Sequence, residues 1–269
     1  SPGARSPTPL AAAAQILLGE LAFPAGHAAV LLLGAGLLLV SALLFVSTGE
    51  PQTTITPGAT QGFAIFIRAG FDTYRNDGRF RLFVHTRWLD GAAAMALPFY
   101  LLQATASAVA VADVALLLAA QTTGALLSNP LWGWWGDRRG KRELLEAAAV
   151  LGAVPPIVTL IWIAFGTGIP NAALVLFAAV FALIGAAANG GTIAQLGYLM
   201  EISPEDRRPA YSGYFNALVA PAALSPLLGA AFAEASGLPV LFAASAGAAA
   251  LQWFAVRRLR HARAAVETA

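Results

Sequence analysis

Gly133-Trp134-Trp135-Gly136-Asp137-Arg138-Arg139-Gly140-Lys141-Arg142 is a charged, glycine-rich turn set between two apolar runs, each long enough to cross a bilayer. A chain that reverses at a membrane surface within a few residues needs glycine, which tolerates positive φ and lets helices approach closely. Arg and Lys hold such a turn on the cytoplasmic side. An acid beside them, here Asp137, can accept charge-assisted hydrogen bonds or face the positive end of a neighbouring helix.

Composition agrees with that setting. The chain is 58% hydrophobic and 11% charged, where soluble domains carry roughly a quarter charged residues, and its mean hydropathy is +0.69. It reads as an integral membrane protein. The net charge of +2 comes from Arg clustered beside helices, which speaks for topology and contact with anionic lipid, and against nucleic acid. Without cysteine there is no disulfide framework and no thiolate nucleophile. His27, His85 and His261 are scattered, so no metal centre and no soluble cofactor are expected.

Apolar length predicts an all-α polytopic bundle of seven spans, at residues 23–46, 82–103, 110–136, 144–165, 171–200, 209–233 and 238–256. Between the first two, residues 47–81 form a cytoplasmic linker. Its second part, 62–81, mixes Phe and Ile with Arg68, Asp72, Arg75, Asp77 and Arg79, the pattern of an amphipathic surface helix. Of the 16 Lys and Arg residues, all but Arg5 fall at 68–87, 138–142, 207–208 and 257–263. Seven alternating spans put all four clusters on one side, so the tail 257–269 is expected in the cytoplasm and 1–22 outside, or as part of a preceding helix.

The turn resembles the signature between the second and third helices of each half of major facilitator superfamily transporters, Gly-x-Leu-Ala-Asp-Arg-x-Gly-Arg-Lys. Gly133, Asp137, Arg138, Gly140, Lys141, Arg142 and the later Leu145 fit it, while Trp135 and Gly136 stand where Leu and Ala are usual. On this resemblance residues 23–46 are the sixth helix, 47–81 the central linker and 82–256 the six-helix C-terminal bundle. With the odd span count and no initiator Met, a fragment lacking its N-terminal helical half is expected. The resemblance implies that Asp137 lies near the N-terminus of the helix beginning at Pro209. It also implies that Arg138 or Arg142 pairs with Glu201, bracing one conformation of a transport cycle.

Polar residues inside spans are costly in hydrocarbon and tend to face a cavity or another helix. Asp90, three residues after Arg87, can pair with it at i, i+3 or titrate in proton coupling. Asn189, Thr192 and Gln195 recur at three-residue intervals beside Gly190-Gly191 and are expected to share a face toward a substrate pathway, with Tyr198 following. Tyr100, Gln121, Thr122 and Asn216 could join them, although the same residues also serve plain interhelical bonding. No Ser with a nearby base and no pair of intramembrane aspartates points to an enzyme. The resemblance implies alternating-access transport of a small solute, with protons the expected coupling ion if transport is active. The competing class is a non-transporting membrane assembly or receptor subunit. One Lys against 15 Arg and abundant Ala hint at GC-rich coding and a bacterial inner membrane.

Overall fold

Asp77 closes one helix and opens the next. Its amide donates to the Thr73 carbonyl, while its carboxylate accepts from the amides of Arg79 and Phe80, both at 2.9 Å, an N-cap that satisfies donors left free at a helix start. These are features of a computed structural model that describes residues 25–47, 62–166 and 172–267. Segment 1–22, the polar part of the linker at 48–61 and the turn near 167–171 lie outside the described residues.

Residues 1–61 and 62–269 form two separate units. In the first, α1 (Ala25–Ser47) is an unbroken helix with a continuous apolar stretch at Leu32–Phe45. The second holds α2 (Phe63–Asn76), α3 (Gly78–Ala94), α4 (Leu97–Ala106), α5 (Val114–Arg139), α6 (Lys141–Phe165), α7 (Ala172–Ile202), α8 (Arg208–Val219), α9 (Ser225–Ser236) and α10 (Leu238–Glu267). The described residues contain no strand. In hydrocarbon every backbone polar group must be satisfied internally, and helices do this within one segment.

Among the described residues five stretches are long and apolar enough to cross a membrane: Val111–Arg139, Lys141–Phe165, Ala172–Ile202, Glu205–Ser236 and Leu238–Leu259. They lie where five of the expected spans do. The expected span at 82–103 is instead interrupted at Met95 and Ala96, between α3 and α4. Pro98, in the first turn of α4, has no N–H to offer Ala94 and so cannot carry the ladder through. A second break separates α8 from α9, where Ala220–Leu224 winds as a 3₁₀ turn containing Pro221. The two breaks nest. A Cβ added at Gly91 of α3 would meet the Ala222 Cβ at 2.7 Å, and one at Gly229 of α9 would meet the Met95 carbonyl oxygen at 2.5 Å.

Besides Asp77, two further connections are single residues. Gly140 (φ +91°) joins α5 to α6, and Gly237 (φ +85°) joins α9 to α10, conformations that a side chain would strain. The most extensive packing runs between α5 and α7, followed by α6 with α7 and with α10, and α3 with α10. Gly124 of α5 and Gly185 of α7 let backbone touch backbone: an added Cβ at Gly124 would meet the Ala182 backbone, and one at Gly185 the Gln121 backbone. Small residues at a crossing allow this approach.

The core divides into two packed layers. One gathers Phe80, Phe83, Trp132, Leu144, Tyr198 and Phe215, around the charged turn and the start of α8. The other gathers Tyr100, Leu117, Phe177, Phe181, Leu241 and Phe242. Between them lies a cavity.

Candidate functional site

That cavity has a volume of about 250 Å³ and draws on residues of both layers, Leu145 from the first and Tyr100 and Ile184 from the second. Its walls are mostly Ala, Leu, Ile and Pro side chains of α3, α4, α6 and α7. Charge enters from Arg87 and Asp90 on α3. The Arg87 guanidinium donates to Asp90 Oδ2 at 2.7 Å, at the i, i+3 spacing that the sequence offered. The second carboxylate oxygen accepts from Nε2 of Gln252 on α10 at 3.0 Å. An ionised group beside apolar walls requires such partners, because desolvation otherwise exceeds the attraction. The pair is not sealed: the side chains of Arg87 and Asp90 keep 22% and 37% of their exposure, so the carboxylate reaches the open space. Arg87 Nε is buried and has no hydrogen-bond partner.

Tyr100 and Thr192 line the same cavity. Thr192 Oγ1 donates to the Ala188 carbonyl of its own helix, which leaves its lone pairs available. Gln121, Asn189, Gln195, Tyr198 and Asn216 are not among the lining residues. Asn189 instead bonds helix to helix, donating to the Ala125 carbonyl at 3.1 Å and to Asn129 Oδ1 at 2.8 Å on α5. Tyr198 is buried against Phe83, ring centroids 5.0 Å apart, and Asn216 is exposed on α8. Of Asn189, Thr192 and Gln195, expected to share a face, Thr192 lines the cavity and Asn189 turns to α5. Three residues turn an α-helix by less than one revolution, so each step rotates the side chain about 60° back around the axis. Gly190 and Gly191 also part company: the first seats the Trp132 indole, whose Nε1 donates to the Ala186 carbonyl, and the second lines the cavity.

At the charged turn, Lys141 organises the contacts. Its amine lies 3.4 Å from Asp137 Oδ1, and its stem lies over Gly197 of α7, where an added Cβ would come within 2.7 Å of Lys141 Cγ. A Cβ at Gly136 would come within 3.1 Å of Leu144 Cδ2, which gives a packing reason for glycine at the position where Ala is usual. Arg138 stacks on Trp134 and Arg139 on Trp135, with guanidinium carbons 5.1 and 5.5 Å from the ring centroids, one helical turn apart in each case. Arg142 lies 3.7 Å from Glu143.

Two expectations concern this turn. Among the described residues neither Arg138 nor Arg142 forms an ion pair with Glu201, which is exposed at the end of α7. Each arginine has a partner on its own helix, which local geometry supplies at lower entropic cost than a partner across a gap. Asp137 is expected near the N-terminus of the helix beginning at Pro209. Its side chain is 79% exposed and is paired with Lys141.

One acid escaped the sequence reading. Glu146 of α6 accepts from Trp253 Nε1 at 3.1 Å and lies 3.6 Å from Arg257 Nε, while the Arg257 guanidinium stands 4.8 Å from the centre of the Trp253 ring. The signal available was a Glu inside an apolar run, facing a Trp and an Arg four residues apart at the far end of the chain.

A helical bundle of membrane-crossing length, with a charge-bearing cavity between two core layers and a basic turn at one end, is a polytopic membrane carrier in architecture. The family model of the Major Facilitator Superfamily matches residues 86–268. The chain therefore belongs to that superfamily, whose members transport solutes across membranes and are not enzymes. No curated protein matches it.

Proposed function

We propose that the chain is the second helical bundle of an alternating-access carrier for a small solute, and that the cavity between the two core layers is its half of the substrate pathway. The observation that carries this reading is Asp90. A carboxylate held by Arg87 and Gln252 yet open to an otherwise apolar cavity is costly unless it is used. Tyr100 and Thr192 add hydroxyls to the same space. A facing bundle from the preceding part of the protein closes the other side, and the two bundles rock about the site.

Protons are the proposed coupling ion, with Asp90 the group that takes them up when its contacts with Arg87 and Gln252 loosen. The basic clusters and the tail 257–269 are assigned to the cytoplasm by their charge, and the protein to a bacterial inner membrane. The test is transport by the complete protein in proteoliposomes under an imposed pH gradient, scanned over cationic, anionic and neutral solutes. Asp90→Asn is expected to abolish accumulation against a gradient while leaving exchange across equal concentrations. Loss of neither removes Asp90 from the coupling role, and absence of flux for every solute class favours a non-transporting subunit.

A further inference from the structure

The helix that precedes the bundle carries a groove unconnected with the central cavity. Two of its faces are occupied differently. One packs on α8, where Phe66 meets Tyr214 with ring centroids 4.8 Å apart and Gly70 lies beneath the Tyr214 ring, an added Cβ there coming within 2.8 Å of Tyr214 Cδ1. Elsewhere Ile67 and Phe71 are exposed beside this contact and Ile65 is exposed on the opposite side of the helix, about 200° round its axis from Ile67, with the Arg75 guanidinium 5.1 Å from the centre of the Phe71 ring. Along the seam between α2 and α8 runs a hollow of about 350 Å³, floored by Phe66, Ile67, Phe71, Ala217 and Leu218.

Arg68 is the one charged residue lining it. It is exposed, and although Asp72 follows one turn later, Arg68 takes part in no ion pair among the described residues. Ala217 and Leu218 lie between two and three turns along α8 from Arg208, so the hollow reaches from a cationic rim to the apolar part of a membrane-crossing stretch. A soluble anion would leave this apolar floor uncovered, and a neutral hydrocarbon would leave Arg68 without a partner. A phospholipid supplies both an acyl chain and a phosphate, and surrounds a membrane protein at high concentration.

We propose that the α2–α8 groove is a binding site for an anionic phospholipid, its acyl chain on the floor of Phe66, Phe71 and Leu218 and its phosphate held by Arg68. Occupancy fastens α2 to the bundle at the membrane surface, since the exposed Ile67 and Phe71 then continue the apolar surface that the lipid begins.

The complete protein in detergent is incubated with dioleoyl phosphatidylglycerol, with dioleoyl phosphatidylcholine, or with glycerol phosphate alone. Retained lipid is counted by native mass spectrometry and thermal midpoints are measured in parallel. Phosphatidylglycerol is expected to be retained about fivefold more than phosphatidylcholine, the preference one Arg near an anionic surface contributes, and to raise the midpoint. Glycerol phosphate is expected to do neither. Arg68→Gln should bring the two lipids level, Asp72→Asn should widen their difference by removing the adjacent carboxylate, and Ala217→Phe, which fills the floor, should reduce retention of both. Equal retention of the two lipids by the unaltered protein would overturn the proposal. So would phosphatidylglycerol retention that none of the three variants changes, or a glycerol phosphate effect as large as that of the lipid.

Discussion

The indole Nε1 of Trp88 lies 2.9 Å from the main-chain oxygen of Leu218 and donates a hydrogen bond to it. Leu218 stands two residues before the 3₁₀ turn Ala220–Leu224, where Pro221 interrupts the regular ladder and carbonyls lose their usual partners. A side chain of α3 thus satisfies a backbone group at the break between α8 and α9. Trp88→Phe keeps most of the ring and removes the donor. It is expected to lower stability by about 0.6 kcal/mol, the average for a side-chain hydrogen bond in a membrane protein, seen as a small drop in thermal midpoint in detergent. A midpoint unchanged within error would mean that water or another donor replaces the indole.

Removing one member of the ion pair should do more harm than removing both. Arg87→Gln leaves the Asp90 carboxylate with Gln252 as its sole partner, whereas Arg87→Gln combined with Asp90→Asn leaves no charge to desolvate. Thermal midpoints should rank unaltered protein and double variant close together, with Arg87→Gln below both. The pair is partly exposed, so the gap is expected to fall short of the 3–5 kcal/mol or so found when a fully buried pair is broken. A double variant less stable than Arg87→Gln would contradict this account.

Glu146 joins α6 to α10 through Trp253 and Arg257. Glu146→Leu should remove both contacts, and a double-mutant cycle with Arg257→Gln should return a coupling energy clearly different from zero, since the two share one network. Additive losses would show that the two residues act independently.

The glycines differ sharply in what they tolerate. Gly185→Ala places a methyl group into the Gln121 backbone of α5, and overpacking of this kind costs about 1–3 kcal/mol. Gly152→Ala meets nothing within 4 Å and should leave stability nearly unchanged, or raise it slightly through helix propensity. Expression level and thermal midpoint of the two variants, side by side, test the crossing geometry. Equal behaviour would place the α5–α7 contact elsewhere.

Much of this was legible in the sequence wherever the determinant is local. Apolar length located the spans, i, i+3 spacing offered the Arg87–Asp90 pair, and the glycine and basic residues at 133–142 marked the turn. What escaped depends on residues far apart in the chain. Gln252 reaches Asp90 across 162 positions, and no spacing rule connects Glu146 with Trp253 or Asn189 with Asn129. The break at Met95 and Ala96 is a different case, because Pro98 was visible, but a stretch of sufficient apolar length reads as one span whether or not its ladder is continuous. At the turn itself the partners seen are local: Arg138 stacks on Trp134 and Arg142 lies beside Glu143.

The reach from Gln252 to Asp90 also has a consequence for how the protein is made. At synthesis rates of about 5–20 residues per second, Asp90 enters the membrane on the order of 10 s or more before the residue that completes its hydrogen bonding exists. Throughout that interval α3 also lacks α10, against which much of it packs. A ribosome stalled before α10 therefore leaves a half-satisfied carboxylate and an unpaired helix face within the bilayer. Those are features that membrane quality-control proteases recognise, and the arrival of α10 removes both.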